Sequence, residues 1–102
     1  MSDYDNRQYR LMMQRIEEFE KSKIGLQRLI ADLDALLCSL QKADETWRSS
    51  FQKEWGVLEE VYAIALDKGS EKLPTEHWDL IDNALGNMKR LLAQVVIAES
   101  EL

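Results

Sequence analysis

Apolar side chains recur at three- and four-residue spacing along most of this chain, and no other feature constrains its fold as much. That spacing marks one face of a helix and cannot be laid on a strand, whose faces alternate every second residue. Tyr9, Met12, Ile16 and Phe19 form one stripe, and Leu26, Ile30, Leu33, Leu37 and Leu40 form the next. Between them Lys23 stands where the stripe requires an apolar residue, and Gly25 weakens a helix by about 1 kcal/mol relative to Ala. The sequence therefore predicts a break near residues 22–25, with one bent helix over residues 1–42 as the other reading.

A third stripe runs through Trp47, Phe51, Trp55, Leu58, Tyr62 and Ala65. Asp44 is placed to cap its start by accepting from free backbone amides, and Gly69 is a residue type that ends helices in the left-handed conformation. A helix over 45–68 is expected, followed by a loop at "GSEKLPT" in which Leu73 tucks inward. Thr75 then caps a last helix carrying Trp78, Ile81, Leu85, Met88, Leu92 and Val95. The expected fold is all-α, an antiparallel bundle of about four helices in a single domain over residues 1–102, with loops near 22–25, 42–44 and 69–75.

Size and composition agree with one packed core. A chain of 102 residues is near the size of a single domain and buries roughly 60–70% of its unfolded surface. One Pro and four Gly leave little material for the turns of a many-stranded sheet. Cys38 is the single cysteine, so no intrachain disulfide forms, and "MSDYDNRQYR" has acids and no apolar h-region; a reducing cytoplasm is expected. No apolar run approaches the roughly 20 residues that span a bilayer.

Charge is unevenly distributed. Residues 1–43 carry seven basic and seven acidic side chains, whereas residues 44–102 carry six basic and twelve acidic, so the net charge of −6 comes from the second half. An acidic surface repels phosphate backbones and attracts cations, which argues against nucleic acid and for a basic protein partner.

No constellation points to catalysis, a metal or a cofactor. Carboxylate–His metal sites in bundles use i, i+3 pairs on inward faces, but the single His77 is adjacent to Glu76, and adjacent residues point apart. His77 reads as structural or superficial. Cys38 follows Leu37 on a leucine-rich face with only Lys42 as a basic neighbour one turn on, so a packed or half-buried thiol is expected rather than an activated one. Met12 and Met88 read as core filling, Met13 as half exposed, and the three tryptophans as core residues, with Trp47 and Trp78 in first turns.

In "WGVLEEVYAIA" (55–65), a step of about 100° per residue places Gly56, Ala63 and Asp67 opposite Phe51 and Leu58, flanked by Glu59 and Glu60. This face is low in bulk and edged with acids. It reads either as a solvated helix side or as a docking edge, with Gly56 allowing a neighbouring helix or a partner to approach closely. Glu54 projects nearer the apolar side and needs a cationic or amide partner, with Arg28 or Arg48 the internal candidates and a partner's Lys or Arg the external one.

"LIADLDALLCSL" (29–40) and "WRSSFQKEWGVLEEVYAIALDKG" (47–69) resemble a family of small helical immunity proteins of bacterial contact-dependent growth inhibition systems. The likeness covers the middle half of the chain and lies in a Leu-Ile-x-Asp-Leu helix followed by Trp, Phe, Trp and Leu-Glu at helical spacing. It implies a cytoplasmic protein that binds a cognate toxin domain delivered by a sibling cell and blocks its active site or substrate access; a monomer is favoured over an oligomer. Such toxins are often nucleases with basic grooves. The expected partner-binding residues are Gly56, Glu59, Glu60 and Asp67 on the third helix, with Asp79 and Asp82 on the fourth. A homo-oligomeric adaptor, joined through the Tyr9 to Leu40 stripes, is the competing expectation.

Overall fold

The structure, a computed structural model, describes the backbone of residues 3–67 and 75–96. The described elements are α1 (Asp3–Glu20), α2 (Leu26–Ser39), α3 (Glu45–Asp67) and α4 (Thr75–Val95), with no strand among the described residues. Each helix packs on its sequence neighbours and α1 closes the ring against α4. Paired cross-links run in opposite sequence directions and fix sequence neighbours as antiparallel: Asp5 with Gln41 and Arg15 with Asp32, Arg48 with Leu37 and Trp55 with Ile30, Trp47 with Leu91 and Glu54 with Asn87. Glu20 and Lys89 join α1 to α4. The expected loops near 22–25 and 42–44 are present, and the one at 69–75 lies outside the described residues save for Thr75, which opens α4.

The break after α1 is made by a different residue from the one the sequence suggested. Ser22 adopts a positive φ of 61°. Lys23 N–H donates to the Glu18 carbonyl and Ser22 N–H to the Phe19 carbonyl. This is the Schellman arrangement that satisfies orphan carbonyls at a helix end, with Ser at the left-handed position usually held by Gly. Gly25 is instead extended and precedes α2 as its N-cap.

Asp44 caps α3 as expected, its Oδ2 accepting from Thr46 N–H at 3.1 Å and Trp47 N–H at 3.2 Å. The C-terminus of α2 is closed by a side chain from the next helix, where Arg48 donates to the carbonyls of Leu37 (2.9 Å) and Leu40 (3.3 Å). The caps expected from Gly69 and the Thr75 side chain, and the inward Leu73, fall outside the described residues.

The core contains Tyr9, Met12, Ile16 and Phe19 from α1, Leu33, Leu37 and Leu40 from α2 and its end, and Ile81, Leu85, Met88 and Leu92 from α4. Trp47 sits edge-on to Tyr9 at 5.1 Å and stacks on Phe51 at 5.2 Å. Three stripe assignments need correction. Leu29 is fully buried while Leu26 and Ile30 are half-buried, because the inward face of α2 is centred on Leu29, Leu33 and Leu37. On α3, Val61 enters the core whereas Trp55, Tyr62 and Ala65 are only half-buried. The pairing of Trp55 with Ile30 brings α2 to its first residue near Glu59, so the last two turns of α3 overhang it. Trp78 is 43% exposed and stacks on Phe19 at 6.1 Å, covering one end of the core from outside.

Asp5 is buried yet charged, and it explains how α1 is held to the far side of α2. Its carboxylate accepts from Gln41 N–H at 2.9 Å and Lys42 N–H at 2.7 Å, tying the first turns of α1 to the loop before α3. Beside it, the pKa of Tyr9 is raised, first by burial and then by the Asp5 charge, with the Arg48 guanidinium acting in the opposite direction.

Candidate functional site: the outer surface of α3 and α4

Antiparallel packing sets the C-terminal half of α3 beside the N-terminal half of α4, and both halves are acidic. From Glu54 to Asp67 and from Thr75 to Met88, the two helices contain seven carboxylate residues and no Lys or Arg. Glu59, Glu60, Asp79 and Asp82 are exposed. No hydrogen bond or ion pair engages them among the described residues.

The directions of these acids follow from the contacts of their neighbours. Glu59 lies one turn after Trp55, whose indole reaches α2, so it is on the α2 flank. Gly56 and Glu60, one turn apart, lie on the outer surface. Asp82 is two turns before Lys89, which pairs with Glu20 of α1 at 2.6 Å, so it is on the α1 flank. The acids spread over a convex surface and do not converge on a point. Such an arrangement generates a field and forms no enclosed acid pair. Asp67 closes α3, and its side chain is outside the described residues.

Gly56 has open space where a Cβ would sit, with no atom within 4 Å, so no neighbouring helix of this chain uses the gap. The internal half of the close-approach expectation is thereby removed. Glu54 has an amide partner, one of the two kinds expected, but the internal candidates Arg28 and Arg48 are corrected. Arg48 is engaged by the α2 carbonyls, and Arg28 lies 3.5 Å from Asp32, which Arg15 also approaches at 3.3 Å. Glu54 instead accepts from the Asn87 side-chain amide of α4 at 3.2 Å.

Cys38 is exposed, not packed, because it falls one residue beyond Leu37 on the outer side of α2; its thiol is 3.8 Å from Asp34 Oδ1. His77 is half-buried on α4, and its Nδ1 is enclosed with no hydrogen-bond partner among the described residues. Among the described residues no group of three or more His, Cys, Asp or Glu is arranged to hold a metal ion. No described helix is long and apolar enough to cross a membrane.

Sequence reasoning missed a cleft between α3 and α4, of about 300 Å³, lined by Ser50, Lys53, Glu54, Asn87, Arg90 and Leu91. Its one visible signal was a carboxylate, Glu54, near an apolar stripe. The residues facing it lie more than thirty positions away on another helix, and no local pattern announces them.

Fold and surface together define an all-α four-helix domain with an acidic outer face on its α3–α4 pair. Comparisons with protein families, curated proteins and solved structures find no match to the chain.

Proposed function

We propose that the chain is an inhibitor that acts by binding a cationic protein domain through the outer face of α3 and α4. On the resemblance carried by residues 29–40 and 47–69, that domain is the cognate toxin of a contact-dependent growth inhibition system. It is a nuclease whose active site or substrate access the bound inhibitor blocks in the cytoplasm of the producing cell. The observation that carries the reading is the run of seven acids without a basic residue across the paired halves of α3 and α4. Unlike charges steer association and a basic nucleic-acid groove is a natural target for such a face. Gly56, open to solvent, lets a partner approach the α3 backbone closely.

Most of the stripe residues that a homo-oligomeric adaptor would need are already buried inside one chain, with Leu26 and Ile30 half-buried. A monomer is the state that this packing favours.

The test is to co-express the chain with the toxin domain encoded beside it and to measure association of the purified pair at increasing salt. The double reversal Glu59→Lys/Glu60→Lys should slow association by about tenfold or more at low salt. It should leave stability within about 0.5 kcal/mol of the parent, because both side chains are exposed. Association that ignores salt and the double reversal, or undiminished protection by the variant, would refute the assigned face.

A further inference from the structure

The cleft between α3 and α4 has the opposite sign to the surface beside it. Lys53 and Arg90 are exposed at its rim, and neither pairs with a carboxylate among the described residues. Within it a relay runs from Arg90 Nη2, which donates to Asn87 Oδ1, through Asn87 Nδ2, which donates to Glu54 Oε1 at 3.2 Å. The single carboxylate of the cleft is thus already supplied with a donor, and the Arg90 fork is oriented by Asn87. Ser50, Lys53 and Arg90, each carrying side-chain donors, line one shared volume of about 300 Å³. Two cations against one hydrogen-bonded carboxylate leave the lining net positive.

We infer that this cleft is a carboxylate subsite: it receives an Asp or Glu side chain of the partner between Lys53 and Arg90, while the partner's basic residues face Glu59, Glu60, Asp79 and Asp82. The source of the carboxylate rests on the proposed function, but the chemistry of the cleft does not. An Arg fork held in place by a neighbouring amide is suited to a planar carboxylate, which it grips with two parallel hydrogen bonds. A subsite of opposite sign also fixes register. A negative field alone would let a basic surface slide along the α3–α4 face, whereas one carboxylate docked in the cleft sets where along the helices the partner stops, and like charge at that point rejects other basic proteins.

The probe is glutarate, titrated at constant ionic strength into the isotope-labelled full chain while the Arg90 side-chain Nε–H and the Asn87 side-chain amide are followed by NMR. Saturable shifts of both signals are expected, with saturation lost in the variant Lys53→Gln/Arg90→Gln at an unchanged melting temperature. No saturation in the parent, saturation that survives in that variant, or saturation by methylguanidinium in place of glutarate would overturn the inference. Failure of the toxin reading is distinguishable, since it would appear as absent protection with glutarate binding intact.

Discussion

Replacing Asp5 by Ala tests whether the bundle is closed by a single buried carboxylate. Asp5 is 2% exposed, and its two oxygens take the amides of Gln41 and Lys42 at 2.9 and 2.7 Å across more than thirty residues of chain. A hydrogen bond to a charged group contributes about 1.5–3 kcal/mol, so two would contribute about 3–6 kcal/mol. Gln41 and Lys42 lie on an exposed loop, however, and water can reach amides released there. The expected loss for Asp5→Ala is accordingly reduced below that sum, to about 2–4 kcal/mol. For a domain of this size the corresponding fall in Tm is about 10–25 °C.

Urea denaturation followed by circular dichroism gives the number, and a midpoint that moves at constant m assigns it to stability of the folded state. Asp5→Asn separates charge from shape. It keeps one acceptor oxygen but turns an NH2 group toward the other amide, so it should lose half of the effect or more. A loss under about 0.5 kcal/mol for Asp5→Ala, within the range of ordinary surface substitutions, would refute the reasoning. So would an Asp5→Asn variant indistinguishable from the parent. In the Ala variant Tyr9 should also titrate closer to its ordinary value, because one of the two causes that raise it is gone.

Tyr9 makes the domain sensitive to alkali: its folded pKa is raised above 10.0, so the unfolded chain releases that proton first. Its contribution is fully present below about pH 10 and is lost as pH climbs through the raised folded value, so Tyr9→Phe should flatten the alkaline fall in stability measured by urea midpoints. Gly56→Ala and Gly86→Ala each meet open space and should stabilise by about 0.4–1 kcal/mol; calorimetry showing either to be destabilising would contradict the packing. Gly56→Ala should in addition weaken toxin binding if a partner backbone uses that gap. Ser22→Gly should stabilise by about 1 kcal/mol, because it removes a side chain from a left-handed position, and a loss on denaturant titration would contradict the Schellman geometry.

The sequence by itself determined which segments are helices, where α3 begins, and most of the inward residues, because helix periodicity and the Asp44 cap are local physics that acts within a turn or two. It also determined that the acids crowd into the second half. What the tertiary structure decided is which flank of each helix meets which neighbour. Lengths of partners that no local pattern records left Tyr62 half covered where α3 overhangs α2, and left Trp78 outside on Phe19. Glu54 called for a cationic or amide partner and found the Asn87 amide, while Arg48, one of its candidate partners, closed the end of α2. Asp5 looked like one more acid near a helix start, and only the return of the chain at Gln41 and Lys42 made it a buried anchor. The same long-range geometry sets Glu59 and Glu60 of α3 in the same half of the bundle as Asp79 and Asp82 of α4, and places Lys53 and Arg90 across a cleft beside them. Charge is written in the chain, but its direction in space is set by how the helices pack.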